Sequence, residues 1–300
     1  MRVLDICRRF YEELGREAIA AAFPERVERI AVGLVGAGSE CFGYEDEQSR
    51  DHDMYAGFQL FLTAEDAAEF GFALSSLYDR LPREFMGLST EHRSRMGDGK
   101  HGVKVIGAFY RPFTGTDGPP ENWRQWLHTP SWALAQATNG AVFTDPLGEF
   151  SRIRGEILCG MPEDVRKKKI AARAAIMAQS GQYNFDRCVK RGECGAAMLA
   201  AAEFVRNAVE LRFLLERRHM PDYKWCFRAL REFDAPLEQQ LTAILAGDAS
   251  LIEAVAAAFI DLFRAEGLSD GTWDFLEPHA MEVQRRINNG EIRALHLMEG

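Results

Sequence analysis

The sequence predicts an α+β protein, with a mixed sheet and flanking helices over residues 1–160 and an all-helical bundle over residues 161–300. Three observations predict it. Strand-like runs rich in β-branched residues, bounded by glycine-rich or capping segments, are confined to the first half. Capped helical periodicity without a convincing strand fills the chain from Pro162 onward. A length of 300 residues suits two domains, each large enough to bury its own core.

The elements follow in order. Val3, Ile6, Phe10, Leu14, Ile19 and Phe23 recur at threes and fours and predict one amphipathic helix ending before Pro24. Residues 27–35, VERIAVGLV, predict a strand that leaves the sheet at the glycine-rich GAGSE. Residues 54–62, MYAGFQLFL, predict a second strand, and Thr63 caps the helix that begins after it. A third strand is expected from His101 to Phe109 and a fourth from Ala141 to Thr144, with a Trp-rich helical stretch between them. Residues 112–122 read as a surface loop, and the domain boundary falls near Met161.

Composition narrows the function. A formal charge of -9 disfavours holding long nucleic acid by phosphate neutralisation, and small or cationic partners fit better. The six cysteines form no CxxC and no zinc-type spacing with histidine, so they read as reduced thiols. No stretch reaches about 18 apolar residues. No membrane partner is expected, and the predicted location is cytoplasmic.

The chemistry-bearing segment is Gly38-Ser39, eleven intervening residues, then Asp51-His52-Asp53. On a strand, Asp51 and Asp53 share a face and are close enough to share one or two divalent ions, whereas His52 points the other way. Carboxylate oxygens suit Mg2+ or Mn2+, which take one or two protein carboxylates where substrate phosphates supply further ligands. The Gly-Ser turn offers free N–H groups, a small hydroxyl and room for phosphate oxygens.

These residues resemble the nucleotidyltransferase superfamily, typified by polymerase beta and the aminoglycoside nucleotidyltransferases. Its hallmark is a strand, a Gly-Ser turn, a short helix and a second strand with Asp-x-Asp, matched here by VGLVGAGS and DHDMYAGFQLFL. The string GSECFGYEDEQSRDHD is also similar to a bacterial branch known as a domain of unknown function. Residues Asn139 to Pro146 resemble the late strand and turn of antibiotic-modifying members, and RRHMPDYKWCFRAL resembles their substrate-side helical bundle.

The resemblance implies a nucleotidyltransferase-type sheet and transfer of a nucleoside monophosphate from a nucleoside triphosphate to a hydroxyl of a small-molecule acceptor. In that reading Asp51 and Asp53 are catalytic and hold the metal, Gly38 and Ser39 bind phosphates, and the site lies in a cleft between the domains. The family usually adds a third carboxylate on a later strand, where HGVKVIGAF has Lys104 and no acid. Glu91 or Asp98 is the candidate substitute, or a two-carboxylate site binds the metal weakly.

In the bundle, Arg187, Arg191, Glu193 and Lys224 read either as interhelical ion pairs or as cleft-lining groups. Arg187 and Lys224 are the candidate nucleotide contacts, and Glu193 is the candidate base for the acceptor's proton. The acidic run Glu45 to Glu47 reads as a solvated face or a substrate contact, and Trp123, Trp126 and Trp132 as core. Two alternatives stay open. One is a catalytically silent nucleotide-binding or toxin–antitoxin-type partner protein; the other is a helical RNase using Arg212 and His219.

Overall fold

The computed structural model describes residues 1–46, 55–90 and 101–300. It divides into two compact units, Met1–Glu121 with Ala133–Gly160, and Asn122–Trp132 with Met161–Gly300. The segment Asn122–Trp132, expected in the first domain, groups with the helices instead. The reason is local: Lys169 Nζ donates to the Thr129 carbonyl at 3.2 Å, the Met220 N–H donates to Ser131 Oγ at 2.6 Å, and Trp126 and Leu127 are buried.

The first unit is built on a four-stranded sheet. Its strands are β1 (Ala31–Leu34), β2 (Gln59–Leu62), β5 (Gly102–Val105) and β6 (Ala141–Thr144); β3 (Glu84–Phe85) and β4 (Leu88–Ser89) form a separate hairpin. The order is β5-β2-β1-β6, with β2 parallel to β5 and β1 antiparallel to both neighbours. This is the mixed sheet with flanking helices that the sequence predicts.

All four residues of β2 are buried, so the strand is a continuous run with little polar alternation. Leu60 and Leu62 join a core with Phe10, Tyr11, Ile19, Val32, Phe70 and Leu74. On the alternate face Phe61 stacks on Phe150, with ring centroids 4.2 Å apart, and meets the Phe109 ring edge-on. Helices Ile106–Thr114 and Glu149–Cys159 supply those two rings. Thr63 caps the following helix, its side chain accepting from the Asp66 N–H.

Three strands are shorter than expected. The run 27–35 opens with a tight helical turn at Val27–Arg29, and the run 54–62 enters the ladder only at Gln59. The run 101–109 leaves the sheet at Val105 and continues as the helix Ile106–Thr114. Its buried residues Ile106, Phe109 and Tyr110 recur at three and four, the helical period, although each also suits a strand. That helix takes in the first residues of the expected 112–122 loop.

The second unit is helical. Helix Glu163–Met177 packs against Cys194–Leu215 and Leu276–Arg285, burying Ile170, Ala171, Ala174 and Ala175 beside Phe204, Ala208 and Leu211. The same helix also buries cations. Lys168 Nζ donates to Gln284 Oε1 and to the His296 and Leu297 carbonyls, at 2.7 to 2.9 Å. Arg166 pairs with Glu163 and Glu266, and Arg173 with Glu210.

Lys169 is 3% exposed, and burial pushes its ammonium down to about 8, Glu210 opposing and Arg173 adding to the fall. Between about 8 and the ordinary 10.5 the unfolded chain holds a proton that the folded chain has lost. Rising pH across that window therefore stabilises the fold through Lys169, and the burial cost is fully present below it. Comparing urea unfolding of the wild type and Lys169→Met at pH 7.5 and pH 9.5 is expected to show the wild type gaining on the variant at the higher pH (values chosen at about the two ends of the window). An equal difference at both values contradicts this assignment.

Candidate functional site

The structure concentrates polar chemistry where β1 ends. The ladder pairs Gly33 with Gln59 on one side and Leu34 with Ala141 on the other, and then stops. The next two residues are paired by side-chain amides. The Val35 N–H donates to Gln59 Oε1 at 2.9 Å, and Gln59 Nε2 donates back to the Val35 carbonyl at 3.0 Å. The Gly36 N–H donates to Asn139 Oδ1 at 2.8 Å, and Asn139 Nδ2 returns a bond to the Gly36 carbonyl at 2.6 Å.

Asn139 is itself held. Arg154 Nη2 donates to the carbonyls of Thr138, Asn139 and Gly140 at 2.6, 3.3 and 3.4 Å, and the Gly140 N–H donates to the Cys41 carbonyl at 2.7 Å. Gly140 has φ 64, and a Cβ there would lie 2.0 Å from the Leu34 carbonyl oxygen, so only glycine lets this segment cross the end of β1. Burial lowers the pKa of Arg154, with Tyr110 opposing, and no carboxylate among the described residues pairs with it.

Gly38, at φ 124 and ψ 148, then swings the chain into the four-residue helix Ser39–Phe42. Among the described residues, the N–H groups of Ala37, Gly38 and Ser39 carry no hydrogen bond. Ala37 is exposed, and Gly38 and Ser39 are half-buried. Three donors thus sit at one accessible turn whose preceding peptides are fixed, a suitable arrangement for an anion with several oxygens.

Of the residues singled out by sequence, Gly38 and Ser39 occupy this turn, and Asn139-Gly140 packs behind it. Asp51, His52 and Asp53 lie outside the described residues, as do Glu47, Glu91 and Asp98. Among the described residues no group of three or more His, Cys, Asp or Glu side chains forms a metal site. Strand β5 runs parallel to β2 with Lys104 opposite Phe61, and none of its residues is acidic. Glu45 Oε1 accepts the Val3 N–H at 3.0 Å, so this member of the acidic run serves the start of helix Val3–Phe10.

The bundle candidates stand apart from that turn in sequence and belong to the helical unit. Arg187 is exposed; its guanidinium lies 4.6 Å over the Tyr183 ring and donates to the Tyr183 hydroxyl. Glu193 is exposed at the start of helix Cys194–Leu215, its N–H donating to the Cys188 carbonyl, and the exposed Lys224 N–H donates to Asp222 Oδ1. Arg212 is engaged by Asp234 at 2.7 Å and Glu216 at 2.9 Å, which makes it an ion-pair residue of the bundle. Of the tryptophans, Trp126 is core and Trp132 is 44% exposed.

Sequence reasoning missed Gln59 and Arg154. The signal for Gln59 was present: it is the one strongly polar side chain in GFQLFL, yet it is 2% exposed. A buried amide inside an apolar strand needs partners for both its ends. Arg154 gave no such signal, because an arginine on an amphipathic helix ordinarily faces solvent.

Comparison with known proteins adds three findings. The family described as Domain of unknown function (DUF4037) matches residues 126–226. That span includes Asn139, Arg154, Arg187, Glu193 and Lys224, and lies outside the GSECFGYEDEQSRDHD string. No curated protein matches the chain. The crystal structure of a nucleotidyltransferase-like protein from Exiguobacterium sibiricum 255-15 aligns with 93% of this chain and 81% of that one, at 13% identity and a TM-score of 0.37.

Proposed function

We propose that the protein is a metal-dependent nucleotidyltransferase that moves a nucleoside monophosphate from a nucleoside triphosphate to a hydroxyl of a small-molecule acceptor, releasing pyrophosphate. The observation that carries this reading is the turn Ala37–Ser39, with unengaged N–H groups on a braced backbone. It stands in the order strand, Gly-Ser turn, short helix, antiparallel strand. The Asp51-His52-Asp53 segment follows Ser39 after eleven residues, at the spacing the resemblance requires.

In this reading the amides of Gly38 and Ser39 and the Ser39 hydroxyl bind the β- and γ-phosphates. Asp51 and Asp53 hold Mg2+ or Mn2+, which supplies charge neutralisation at the transferring phosphoryl group. The acceptor oxygen forms a bond to the α-phosphorus as the bond from phosphorus to the α–β bridging oxygen breaks. Pyrophosphate leaves and the acceptor proton passes to a base, for which Glu193 is the candidate. Arg187 and Lys224 are cationic candidates for the triphosphate, both exposed, Arg187 resting against Tyr183.

Lys104 on β5, where the resemblance implies an acid, favours a second reading in which the chain binds nucleotide without transferring it. Pyrophosphate release in the presence of an acceptor separates the two. Under either reading a nucleoside triphosphate is expected to raise the melting temperature only with magnesium or manganese present, because two carboxylates facing a triphosphate repel it without a cation. Equal stabilisation in EDTA rules out the metal-bridged arrangement. Asp51→Asn and Asp53→Asn are each expected to remove metal-dependent binding while leaving the unfolding transition in place.

The acceptor follows from charge. With a formal charge of -9, a small and amine-bearing acceptor is favoured over tRNA or DNA. Transfer from each α-labelled triphosphate to an aminocyclitol panel and to total tRNA measures this preference. Labelled small molecules are expected, and label confined to tRNA overturns it.

A further inference from the structure

We infer that Asn139, Gln59 and Arg154 are positioning residues for triphosphate binding: together they extend the sheet by side chain and aim the free amides of the glycine turn. The inference rests on the nucleotide reading above and goes beyond it, because none of the three touches the phosphates in that reading. A merely structural role would need only that buried polar groups find partners. The arrangement is more specific than that.

The two amides each use both ends on one residue. Gln59 closes a two-bond ring on Val35 and Asn139 closes another on Gly36, so three consecutive peptide planes are held, the one between Val35 and Gly36 from both sides. Gln59 comes from β2 and Asn139 from the residue pair leading into β6, the two strands that flank β1. Each side chain therefore continues the ladder of its own side for one more residue. Rotation of the peptide between Val35 and Gly36 breaks two hydrogen bonds at once, and rotation of the next peptide, which carries the Ala37 amide, breaks the bond from Asn139 Nδ2 to the Gly36 carbonyl.

Arg154 extends the same control outward. Its Nη2 gathers three successive carbonyls, and the middle one belongs to Asn139 itself. Its Nε is buried without a partner, and no acid among the described residues pairs with it. An arginine placed for stability alone gains most from a carboxylate. This one directs its donors to the backbone that carries Asn139, and among the described residues no carboxylate offsets its charge behind the turn. The chain thus places N–H groups that stay free (Ala37, Gly38, Ser39) directly after N–H groups that are saturated (Val35, Gly36).

Two measurements test this. In the wild-type chain, amide hydrogen exchange without ligand is expected to show Val35 and Gly36 protected and Ala37 to Ser39 exchanging fast. Addition of a nucleoside triphosphate with magnesium is expected to slow only the latter three. Separately, calorimetry gives the ratio of monophosphate to triphosphate dissociation constants for the wild type, Asn139→Asp, Gln59→Glu and Arg154→Lys, with melting temperatures taken on the same samples.

Asn139→Asp and Gln59→Glu keep the acceptor and remove the returning donor, and Arg154→Lys keeps charge but not the three-carbonyl reach. Each is expected to lower the ratio about tenfold by weakening triphosphate binding selectively. A general loss of stability would weaken both nucleotides alike. Folded variants that keep the wild-type ratio overturn the inference and leave the nucleotide reading standing. Ligand protection spread evenly over residues 35–39 overturns it without any variant. A wild-type chain that binds no triphosphate with magnesium overturns the nucleotide reading and this inference with it.

Discussion

The end of a buried strand is a problem of unpaired peptides, and the way β1 ends governs the rest of the sheet unit. A buried N–H or carbonyl left without a partner costs about 1–3 kcal/mol, so Val35 and Gly36 must be satisfied where the ladder stops. Primary amides solve this because each carries an acceptor and a donor on one side, matching the N–H and C=O of a single residue. The solution constrains its neighbours: position 59 must be polar within an apolar strand, and position 140 must lack a Cβ so that the Asn139 segment can pass 2.0 Å from the Leu34 carbonyl at the virtual Cβ. Beyond Gly36 the pairing ends, and the turn reaches the surface with its donors free.

The helical unit meets the same constraint with charge instead of neutral amides. Helix Glu163–Met177 buries Arg166, Lys168 and Lys169, with Lys167 half-buried between them, and the long stems of this run act as struts to distant backbone. Lys167 reaches the Arg286 carbonyl, Lys168 the His296 and Leu297 carbonyls, and Lys169 the Thr129 carbonyl. Such struts tie non-helical segments to a central helix, and the desolvation of the Lys168 and Lys169 ammonium groups makes that unit sensitive to pH in the alkaline range. Neutral clamps in one unit and charged struts in the other fit their tasks. A clamp beneath a proposed anion site adds no titrating group of its own.

Much of this was legible in the sequence, and the exceptions are informative. The order strand, glycine turn, short helix, strand was readable because apolar runs and Gly38 mark it directly, and β6 fell on Ala141–Thr144 as expected. The run after His101 was misread because Ile106, Phe109 and Tyr110 are residues that strands also favour, and period alone distinguished them over a short span. The helical capture of Asn122–Trp132 was invisible because it depends on Lys169 and Met220, distant in sequence. At the candidate site the glycine and serine announced themselves, whereas the brace behind them did not. Asn139 was noticed only as part of a resemblance, and its partner Gly36 lies 103 residues away.

Local and global charge point in opposite directions at the turn, and the local term decides. The chain as a whole is acidic at -9, which would repel a triphosphate if charge were spread evenly. Interactions between exposed charges fade over about 8 Å at physiological salt, so the groups nearest the turn matter most. Among those in the described residues, Glu45 is occupied by the Val3 N–H. Glu40 is buried within the short helix. Arg154 has no carboxylate partner there, and its charge sits on the backbone that carries Asn139. Among the described residues, three N–H groups without a hydrogen bond and one guanidinium without a carboxylate partner therefore offset the acidic charge at Ala37–Ser39. An acidic protein can present an anion-binding turn when its nearby carboxylates are engaged, by backbone N–H groups or, for the proposed Asp51 and Asp53, by a cation.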